Sequence, residues 1–338
     1  MHADRGRPAR RPIVAPAVWR PADVTPAEWT IELSEGDRDE IVAATRRAAA
    51  HGATLTTLRP DQFLLPGLEE RLGQWVDALA SGRGFVLLRR FPVDVLDEAE
   101  VELAYVGLGV HLGVPVGQSK AGEILTHIRD ERRGVDGPEV RRYRTRQRQD
   151  FHTDGADIVG LLCLHRARSG GESRIASSGA VYNEILRLRP DLLEVLYEPI
   201  HWDRAGEEAP GELPYFQLAP FSDVGGVPRV FYIGWYIRDA ERHAGVPALS
   251  RQQLDAMELI ESIANDPTFH LEMDFQPGDI QLLNNGRILH AREAYEDDPD
   301  PARRRHLLRL WLAAHRFAGV EPGLRTGIGT RRAADARP

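Results

Sequence analysis

Several features that mark whole classes of protein are missing from this 338-residue chain. It has one cysteine, Cys163, and a single thiol forms neither an internal disulfide nor a thiolate metal cluster, which favours a reduced, cytoplasmic setting. Its apolar runs, such as 158–164, are far shorter than the roughly 20 residues that span a bilayer. The charged N-terminus lacks the apolar segment of a secretory signal. We therefore expect a soluble, unexported protein that does not enter a membrane.

The chain also lacks the signatures of nucleotide and nucleic-acid binding. Its 43 Lys and Arg against 51 Asp and Glu give a net charge of −8, without the basic excess typical of nucleic-acid partners. The sequence contains no Gly-rich phosphate loop after a strand, no Walker-type loop and no nucleophile elbow of a serine hydrolase. A small molecule is therefore the expected partner, and nucleic acid is not.

What the chain has is a change of pattern from residue 124 onward. Before it, an extended or disordered arm over 1–30 precedes a predicted strand over 85–91 and helices over 37–50, 67–81 and 98–112. After it, short apolar runs between Gly, Pro and Asp turns predict strands over 157–165, 214–222, 227–237, 268–275, 279–284 and 306–314. Two predicted helices, 180–197 and 249–265, interrupt this series.

This order of elements predicts a mainly β fold with flanking helices. It favours an antiparallel barrel or jelly roll over a doubly wound parallel sheet. No internal repeat and no linker rich in Pro, Gly or Ser divides the chain. We therefore expect one domain over 31–338, with a helical part over about 31–120 and a jelly-roll core over about 121–316. The sequence leaves the oligomeric state open, a homo-oligomer included.

The chain contains three His-x-Asp triplets, and their contexts differ. One lies in the N-terminal tip, and one, His201 with Asp203, precedes a charged loop. The third, His152 with Asp154, stands at the start of an apolar strand. Because residues i and i+2 of an extended chain share a face, this imidazole and this carboxylate can approach a common point. Two His and one carboxylate are the ligand set of non-haem Fe(II) oxygenases, and His290 is the candidate third ligand.

An arginine also lies within an apolar strand. Arg309 alternates with Leu307 and Trp311, so its guanidinium is expected to point into a barrel, where it needs an anion. That anion is either a carboxylate of the protein or a bound dicarboxylate, to which Ser173 could also donate a hydroxyl. The cluster 303–305 follows an acidic, Pro-containing segment, and we expect it to be a solvated loop or the entry to a strand.

Together these segments resemble the TauD/TfdA family of Fe(II)- and 2-oxoglutarate-dependent dioxygenases. The resemblance is carried by HTDGADIVGLLCL, by SGGESRIASS with the helix after it, by DFQPGDIQLLNN, and by LHAR followed by RRRHLLRLWL. It implies a double-stranded β-helix, the jelly roll of clavaminate synthase-like proteins, with Fe(II), 2-oxoglutarate and O2 as cofactor and co-substrates. By resemblance, His152, Asp154 and His290 match the iron ligands. Arg309 matches the residue that binds the distal carboxylate of 2-oxoglutarate, and Ser173 stands where the family often has Thr.

The resemblance also implies a reaction. It is oxidation, most simply hydroxylation, of an unactivated C–H bond of a small molecule such as an amino acid or a natural-product intermediate, with release of succinate and CO2. Desaturation, cyclisation and epoxidation stay open, whereas the carboxylate at position 154 disfavours halide transfer. Candidate substrate residues are Gln118, His127, Arg129, Tyr232 and Trp235, of which Arg129 would suit a carboxylate-bearing substrate. Two alternatives remain: a zinc hydrolase with the same His/Asp/His set, and a non-catalytic barrel that binds a small ligand.

Overall fold

The computed structural model describes residues 10–131, 142–224, 227–314 and 317. The α-helices in these residues are α1 (Pro26–Trp29), α2 (Glu35–Ala50), α3 (Glu69–Ala80), α4 (Glu98–Leu112), α5 (Ser178–Leu188), α6 (Pro190–Leu196), α7 (Gly234–Asp239) and α8 (Arg251–Asn265). The strands are β1 (Thr30–Glu32), β2 (Phe85–Arg89), β3 (Val114–Pro115), β4 (Leu125–Ile128), β5 (Gln149–His152), β6 (Ile158–His165), β7 (Ser169–Gly170), β8 (Ser173–Ser177), β9 (Ile200–Asp203), β10 (Tyr215–Leu218), β11 (Phe221–Val224), β12 (Val227–Val230), β13 (His270–Met273), β14 (Ile280–Asn284), β15 (Ile288–Arg292), β16 (Tyr295–Glu296) and β17 (His306–Ala313).

Two sheets enclose the centre of the molecule. The larger has the order β1-β2-β14-β6-β17-β3, with β4 also paired to β17, and the smaller has the order β13-β8-β15-β5. All of these pairings are antiparallel except that of β1 with β2. Phe85 and Leu307 of the larger sheet share one buried cluster with Ile175 and Met273 of the smaller sheet. The predicted jelly-roll fold with flanking helices is confirmed.

Helices cover the outer faces of both sheets. Alternation along β17 sends Leu308 and Leu310 outward into a buried cluster shared with α2, α3 and α4. It sends Leu307 and Arg309 the other way, between the sheets. On the smaller sheet, Ala176 and Leu289 face a second cluster with α5, α6 and α8. The space between the sheets is therefore closed from water on both sides, which suits a site built from inward-facing polar residues.

Local sequence chemistry sets most helix ends. Ser34, Asp97 and Ser250 each accept a hydrogen bond from the backbone N–H three residues later, so α2, α4 and α8 begin at N-caps. The helix predicted over 98–112 has the bounds of α4. The helix predicted over 180–197 is two helices, because Pro190 has no N–H to donate and disfavours a helical Arg189.

The strand predicted over 227–237 is wrong in its second half. Strand β12 ends at Val230, and α7 begins at Gly234. The run of β-branched and aromatic residues favours a strand locally. Tertiary contacts override that preference, because the helical turn brings the Trp235 ring within 4.9 Å of the His152 ring and pairs Arg238 with Glu261 of α8.

The N-terminal arm is described from residue 10 onward. Ile13 exchanges two backbone hydrogen bonds with the Asn183 side chain, and Trp19 is buried. The expected disordered tip lies outside the described residues. No helix in the described ranges is long and apolar enough to cross a bilayer. The division into one domain over 31–338 stays a prediction.

Candidate active site

Three residues singled out by the sequence lie together between the sheets. Strands β5 and β15 are antiparallel neighbours, and their register places His152 opposite His290, with ring centroids 4.2 Å apart. Asp154 follows two residues after His152, and its Oδ2 lies 3.7 Å from Nε2 of His290. One ligand atom from each of the three lies within 4.8 Å of the other two, and all three residues are buried. His201 and Asp203 are engaged elsewhere, with Gln217 and Arg242 respectively.

The surroundings of His152 keep its imidazole neutral and orient it. Its Nδ1 lies 2.8 Å from the carbonyl oxygen of Asp150, so Nδ1 carries the proton and Nε2 bears the lone pair. Burial, and secondly the neighbouring His290, lowers the pKa of His152 to about 3. The ring is therefore neutral at pH 7, the form in which an imidazole binds a metal.

Asp154 is the negative group of this cluster. Its carboxylate accepts a hydrogen bond from Nε1 of Trp311 at 3.1 Å, and Nη1 of Arg309 lies 3.3 Å from each carboxylate oxygen. Burial by itself raises the pKa of the Asp154 carboxyl, but Arg309 and the two histidines more than reverse this. The pKa therefore lies well below its ordinary value, and Asp154 is ionised.

Arg309 thus has a protein carboxylate as its partner, one of the two alternatives that the sequence leaves open. Its Nε also donates to Oε1 of Gln118 at 2.7 Å, and the Gln118 amide donates to the backbone carbonyl of Arg309. The guanidinium lies over the rings of Tyr143 and Trp311, 5.0 and 4.6 Å from their centroids. Gln118, predicted to contact substrate, is in this structure a support for Arg309.

Of the two alternatives for the 303–305 cluster, a solvated position describes Arg303, whereas Arg305 is buried at the entry to β17. Arg305 is 4% exposed, because it precedes Leu307 by two residues and shares its inward direction. Its Nη2 reaches the Gly171 carbonyl at 3.4 Å, and its buried Nη1 has no hydrogen-bond partner among the residues described. Burial lowers the pKa of Arg305, so this guanidinium lies where an anion would be strongly favoured.

A second buried arginine, which the sequence analysis missed, lies beside it. Arg292 follows His290 by two residues on β15 and stands opposite Ser173 of β8. The guanidiniums of Arg292 and Arg305 each lie 5.1 Å from the Tyr295 ring centroid. Burial, and secondly Arg305, lowers the pKa of Arg292 to about 10. The signal was present in the motif LHAR, since residues 290 and 292 of a strand share a face. We call Arg292, Arg305, Tyr295 and Ser173 the arginine pocket.

The other predicted substrate residues have different surroundings. Trp235 lies 4.9 Å, ring to ring, from His152, and it lines a cavity of about 280 Å³ with Asp150, Arg238, Asp239 and Glu261, among others. Tyr232 is fully buried, and its hydroxyl donates to Oε1 of Glu261 at 2.7 Å. Trp235 is therefore placed to contact a molecule held beside His152, whereas the Tyr232 hydroxyl is engaged with α8.

His127 and Arg129 do not line the space between the sheets, and their prediction as pocket residues is wrong. In the pairing of β4 with β17, Thr126 stands opposite Arg309 and His127 opposite Leu308, whose side chain faces the helices. His127 accordingly shares a hydrogen bond of 2.8 Å with His306 and lies 3.3 Å from Glu102 of α4. Arg129 is exposed.

Asn285 is a further site residue that the sequence analysis missed. It lies in the turn between β14 and β15 and is 1% exposed. Its Oδ1 accepts from the backbone N–H of Asp154 at 2.8 Å, and its Nδ2 donates to the carbonyls of Asp154 and Ala156. Asn285 thus ties the hairpin that carries His290 to the loop that carries Asp154. It is the second Asn of the motif DFQPGDIQLLNN, and only its three-dimensional contacts give it this role.

The donor set fits a divalent transition metal. Two imidazoles and one carboxylate on one side of an ion are the ligands of non-haem Fe(II) sites with open positions. The neutral His152 and the ionised Asp154 are in the protonation states that such ligation requires. Trp311 and Arg309 hydrogen-bond to the Asp154 carboxylate and orient it, as residues that contact metal ligands rather than the metal itself do.

Two solved structures share this fold. One is asparagine oxygenase in complex with Fe(II), 2S,3S-3-hydroxyasparagine and succinate, with a TM-score of 0.61 at 18% identity, covering 84% of this chain and 93% of that chain. The other is the non-heme iron oxygenase OrfP in complex with Fe and alpha-ketoglutaric acid, with a TM-score of 0.62 at 15% identity, covering 84% of this chain and 94% of that chain.

Sequence comparison identifies the family. FR-33289 synthase of Streptomyces rubellomurinus (strain ATCC 31215) is 34% identical over 311 residues, which cover 90% of this chain and 91% of that protein. The family model described as "Taurine catabolism dioxygenase TauD, TfdA family" matches residues 51–311, a range that contains the His/Asp/His cluster and the arginine pocket. The chain therefore belongs to the TauD/TfdA family and is a 2-oxoglutarate-dependent non-haem iron oxygenase.

Proposed function

We propose that this oxygenase hydroxylates an unactivated C–H bond of a small molecule, with His152, Asp154 and His290 as its iron ligands. The observation that supports this most directly is the buried convergence of the three side chains in a chain of this family. Bound Fe(II) supplies the redox chemistry that couples the oxidation of 2-oxoglutarate by O2 to oxidation of the substrate. The protein's part is to bind, orient and exclude water.

We also infer that Arg305, with Ser173, holds the distal carboxylate of 2-oxoglutarate, which revises the expectation for Arg309. Arg309 already pairs with Asp154, whereas the buried Nη1 of Arg305 has no hydrogen-bond partner among the residues described. A planar guanidinium binds a carboxylate through two parallel hydrogen bonds. The Gly171 carbonyl that contacts Arg305 is two residues from Ser173, whose buried hydroxyl donates to Oε1 of Gln281 at 3.1 Å and would turn from it to reach the carboxylate.

Substitution of each arginine by lysine tests this revision. We expect Arg305→Lys to raise the KM for 2-oxoglutarate about ten- to a hundredfold. Loss of the two parallel hydrogen bonds that a guanidinium makes to a carboxylate costs about 1.5–3 kcal/mol of binding free energy. Arg309→Lys should instead weaken iron retention, through the loss of orientation at Asp154, with a smaller change in that KM. A large rise in the 2-oxoglutarate KM in Arg309→Lys alone would restore the first assignment.

For the substrate we infer an amino acid or a natural-product intermediate that fits the cavity lined by Trp235, whose ring lies 4.9 Å from that of His152. The volume of about 280 Å³ suits a small molecule, and Trp235 supplies an apolar wall next to the metal cluster. The asparagine oxygenase structure named above holds a hydroxylated amino acid. Product analysis separates hydroxylation from desaturation, cyclisation and epoxidation.

Anaerobic addition of Fe(II) and then 2-oxoglutarate tests the function as a whole. We expect a visible metal-to-ligand charge-transfer band, and succinate after O2 is admitted. His290→Ala should abolish both, and His201→Ala, which removes the histidine of another His-x-Asp triplet, should abolish neither. A zinc hydrolase would give no band and no succinate. A non-catalytic barrel would bind neither the metal nor the oxo acid.

A further inference from the structure

The arginine pocket holds more buried donors than one arginine supplies. Nε and Nη1 of Arg292, Nη1 of Arg305 and the hydroxyl of Tyr295 are all buried without a hydrogen-bond partner within the described ranges. The two guanidiniums lie against the same aromatic ring, each 5.1 Å from the Tyr295 ring centroid. Unmade hydrogen bonds on buried charged groups are costly, so this set points to a bound anion.

The protein itself offers Arg292 little compensation. Its Nη2 donates to the backbone carbonyl of Gln147, which carries no charge. The carboxylate of Asp130 raises the pKa of Arg292, but by less than burial and Arg305 lower it. Arg292 is 6% exposed, so bulk water does not reach it. A structural arginine in such a place is normally paired with a buried carboxylate, and in the described structure no carboxylate hydrogen-bonds to Arg292.

We propose that Arg292 is a specificity-determining residue that, together with Arg305, forms a two-guanidinium clamp for the distal carboxylate of the oxo acid. This rests on the proposed function. A carboxylate has about four lone-pair positions, so one carboxylate can accept from the unpaired nitrogens of both guanidiniums. The clamp makes binding depend on the distal charge, so an oxo acid of the same length without that carboxylate would leave both guanidiniums buried and unpaired. Such a site rejects the uncharged analogue far more strongly than a site with one arginine.

The experiment compares 2-oxoglutarate with 2-oxopentanoate, which has the same chain but no distal carboxylate. Both acids keep the 2-oxo and C1 carboxylate groups, so the charge-transfer band of the Fe(II)-loaded, anaerobic protein gives a Kd for each. The Kd of 2-oxopentanoate divided by the Kd of 2-oxoglutarate measures selection for the distal charge. We expect Arg292→Gln to lower this ratio at least tenfold through weaker binding of 2-oxoglutarate, with the Kd of 2-oxopentanoate little changed.

Two further variants separate a specific role from a structural one. Arg292→Lys keeps the charge and most of the volume, and it should give a ratio between those of wild type and Arg292→Gln. Arg168→Gln removes an exposed arginine that pairs with Glu296, next to Tyr295, and it should leave the ratio unchanged. A structural role for Arg292 would weaken the binding of both acids equally and leave the ratio intact.

The outcomes distinguish failure of the two-guanidinium clamp from failure of the proposed function. An unchanged ratio in Arg292→Lys and in Arg292→Gln overturns the clamp, whatever the effect on stability. If Arg292→Gln does not fold, the Arg292→Lys ratio alone decides. If the wild type gives no band with either acid, the proposed function fails. A band with 2-oxoglutarate that responds to Arg305→Lys but not to Arg292 variants leaves the function intact and refutes only this inference.

Discussion

Asp154 serves the site in two ways, as a candidate metal ligand and as the counter-ion of Arg309. Both residues are buried, with 7% exposure each. Removing one partner of a buried ion pair leaves the other charge uncompensated, which typically costs about 3–5 kcal/mol. The stability of the metal-free protein therefore depends on Asp154, which its position after a strand does not reveal.

We expect Asp154→Ala to lose metal retention and succinate formation and also to lower the free energy of unfolding of the metal-free protein by about 3 kcal/mol. Urea denaturation of the metal-free wild type and variant measures the second effect. The double variant Asp154→Ala/Arg309→Met is the matched control, since it removes both charges. It should recover much of the stability but none of the activity. Equal stability of Asp154→Ala and wild type would contradict the ion-pair argument.

Asn285 acts at the same scale, because its amide bonds to both backbone groups of Asp154. We expect Asn285→Asp, which has the same shape, to weaken Fe(II) binding at least tenfold. Its carboxylate would replace an N–H donor opposite two carbonyl oxygens and repel them. Titration of metal-free protein with Fe(II) under anaerobic conditions measures this. An Asn285→Asp protein with wild-type metal affinity would show that the hairpin holds the loop without this residue.

At the level of elements, α4 approaches β17 closely because Gly109 of α4 has no side chain where it faces Leu310 of β17. A Cβ built on Gly109 would lie 2.4 Å from Cδ2 of Leu310. The other face of β17 carries Arg309, which contacts Asp154. The packing of α4 against β17 therefore helps to position a strand that supports the site. Gly73 in α3 is a natural contrast, because its added Cβ would meet nothing within 4 Å.

The same substitution at these two helical positions should have opposite effects on stability. Gly109→Ala should destabilise by about 1–3 kcal/mol, because overpacking outweighs the gain in helix propensity. Gly73→Ala should stabilise by up to about 1 kcal/mol, because only the propensity changes. Urea unfolding followed by circular dichroism measures both. Two changes of the same sign would mean that α4 can shift away from β17 without cost.

At the level of the whole molecule, two buried histidines link folding to pH. Burial lowers the pKa of His152 to about 3 and, with His127 as the second cause, that of His306 to about 4. An unfolded histidine titrates near about 6.5. Below that pH the unfolded state binds more protons than the folded state, so the free energy of unfolding decreases as the pH is lowered.

We expect the metal-free protein to lose about 2 kcal/mol of unfolding free energy through His152 between pH 7 and pH 5, and somewhat less through the half-buried His306. Urea midpoints at pH 7, 6 and 5 measure the loss. His306→Gln is the matched variant, since it can keep a hydrogen bond to His127 while removing one titrating group. A His306→Gln protein with the wild-type pH dependence would refute the contribution of His306.

The sequence alone determined the metal cluster and the fold class. His152 and Asp154 are two residues apart on extended backbone, and His290 lies in a recognisable motif, so strand geometry and resemblance were enough to select them. Alternating apolar strands between turn residues similarly indicated a jelly roll, because periodicity and turn chemistry are local properties of the chain.

Only the tertiary structure decided which arginine faces which anion. Arg305 and Arg309 lie four residues apart and share one inward face, so their sequence context does not reveal that one meets Asp154 and the other lies beside Arg292 and Tyr295. The sequence also did not reveal the direction of the His127 side chain, which is set by the pairing of His127 with Leu308. Electrostatic partners and strand register are non-local, because residues far apart in the chain supply them, and these contacts assign Arg309, Arg292 and Asn285 their roles.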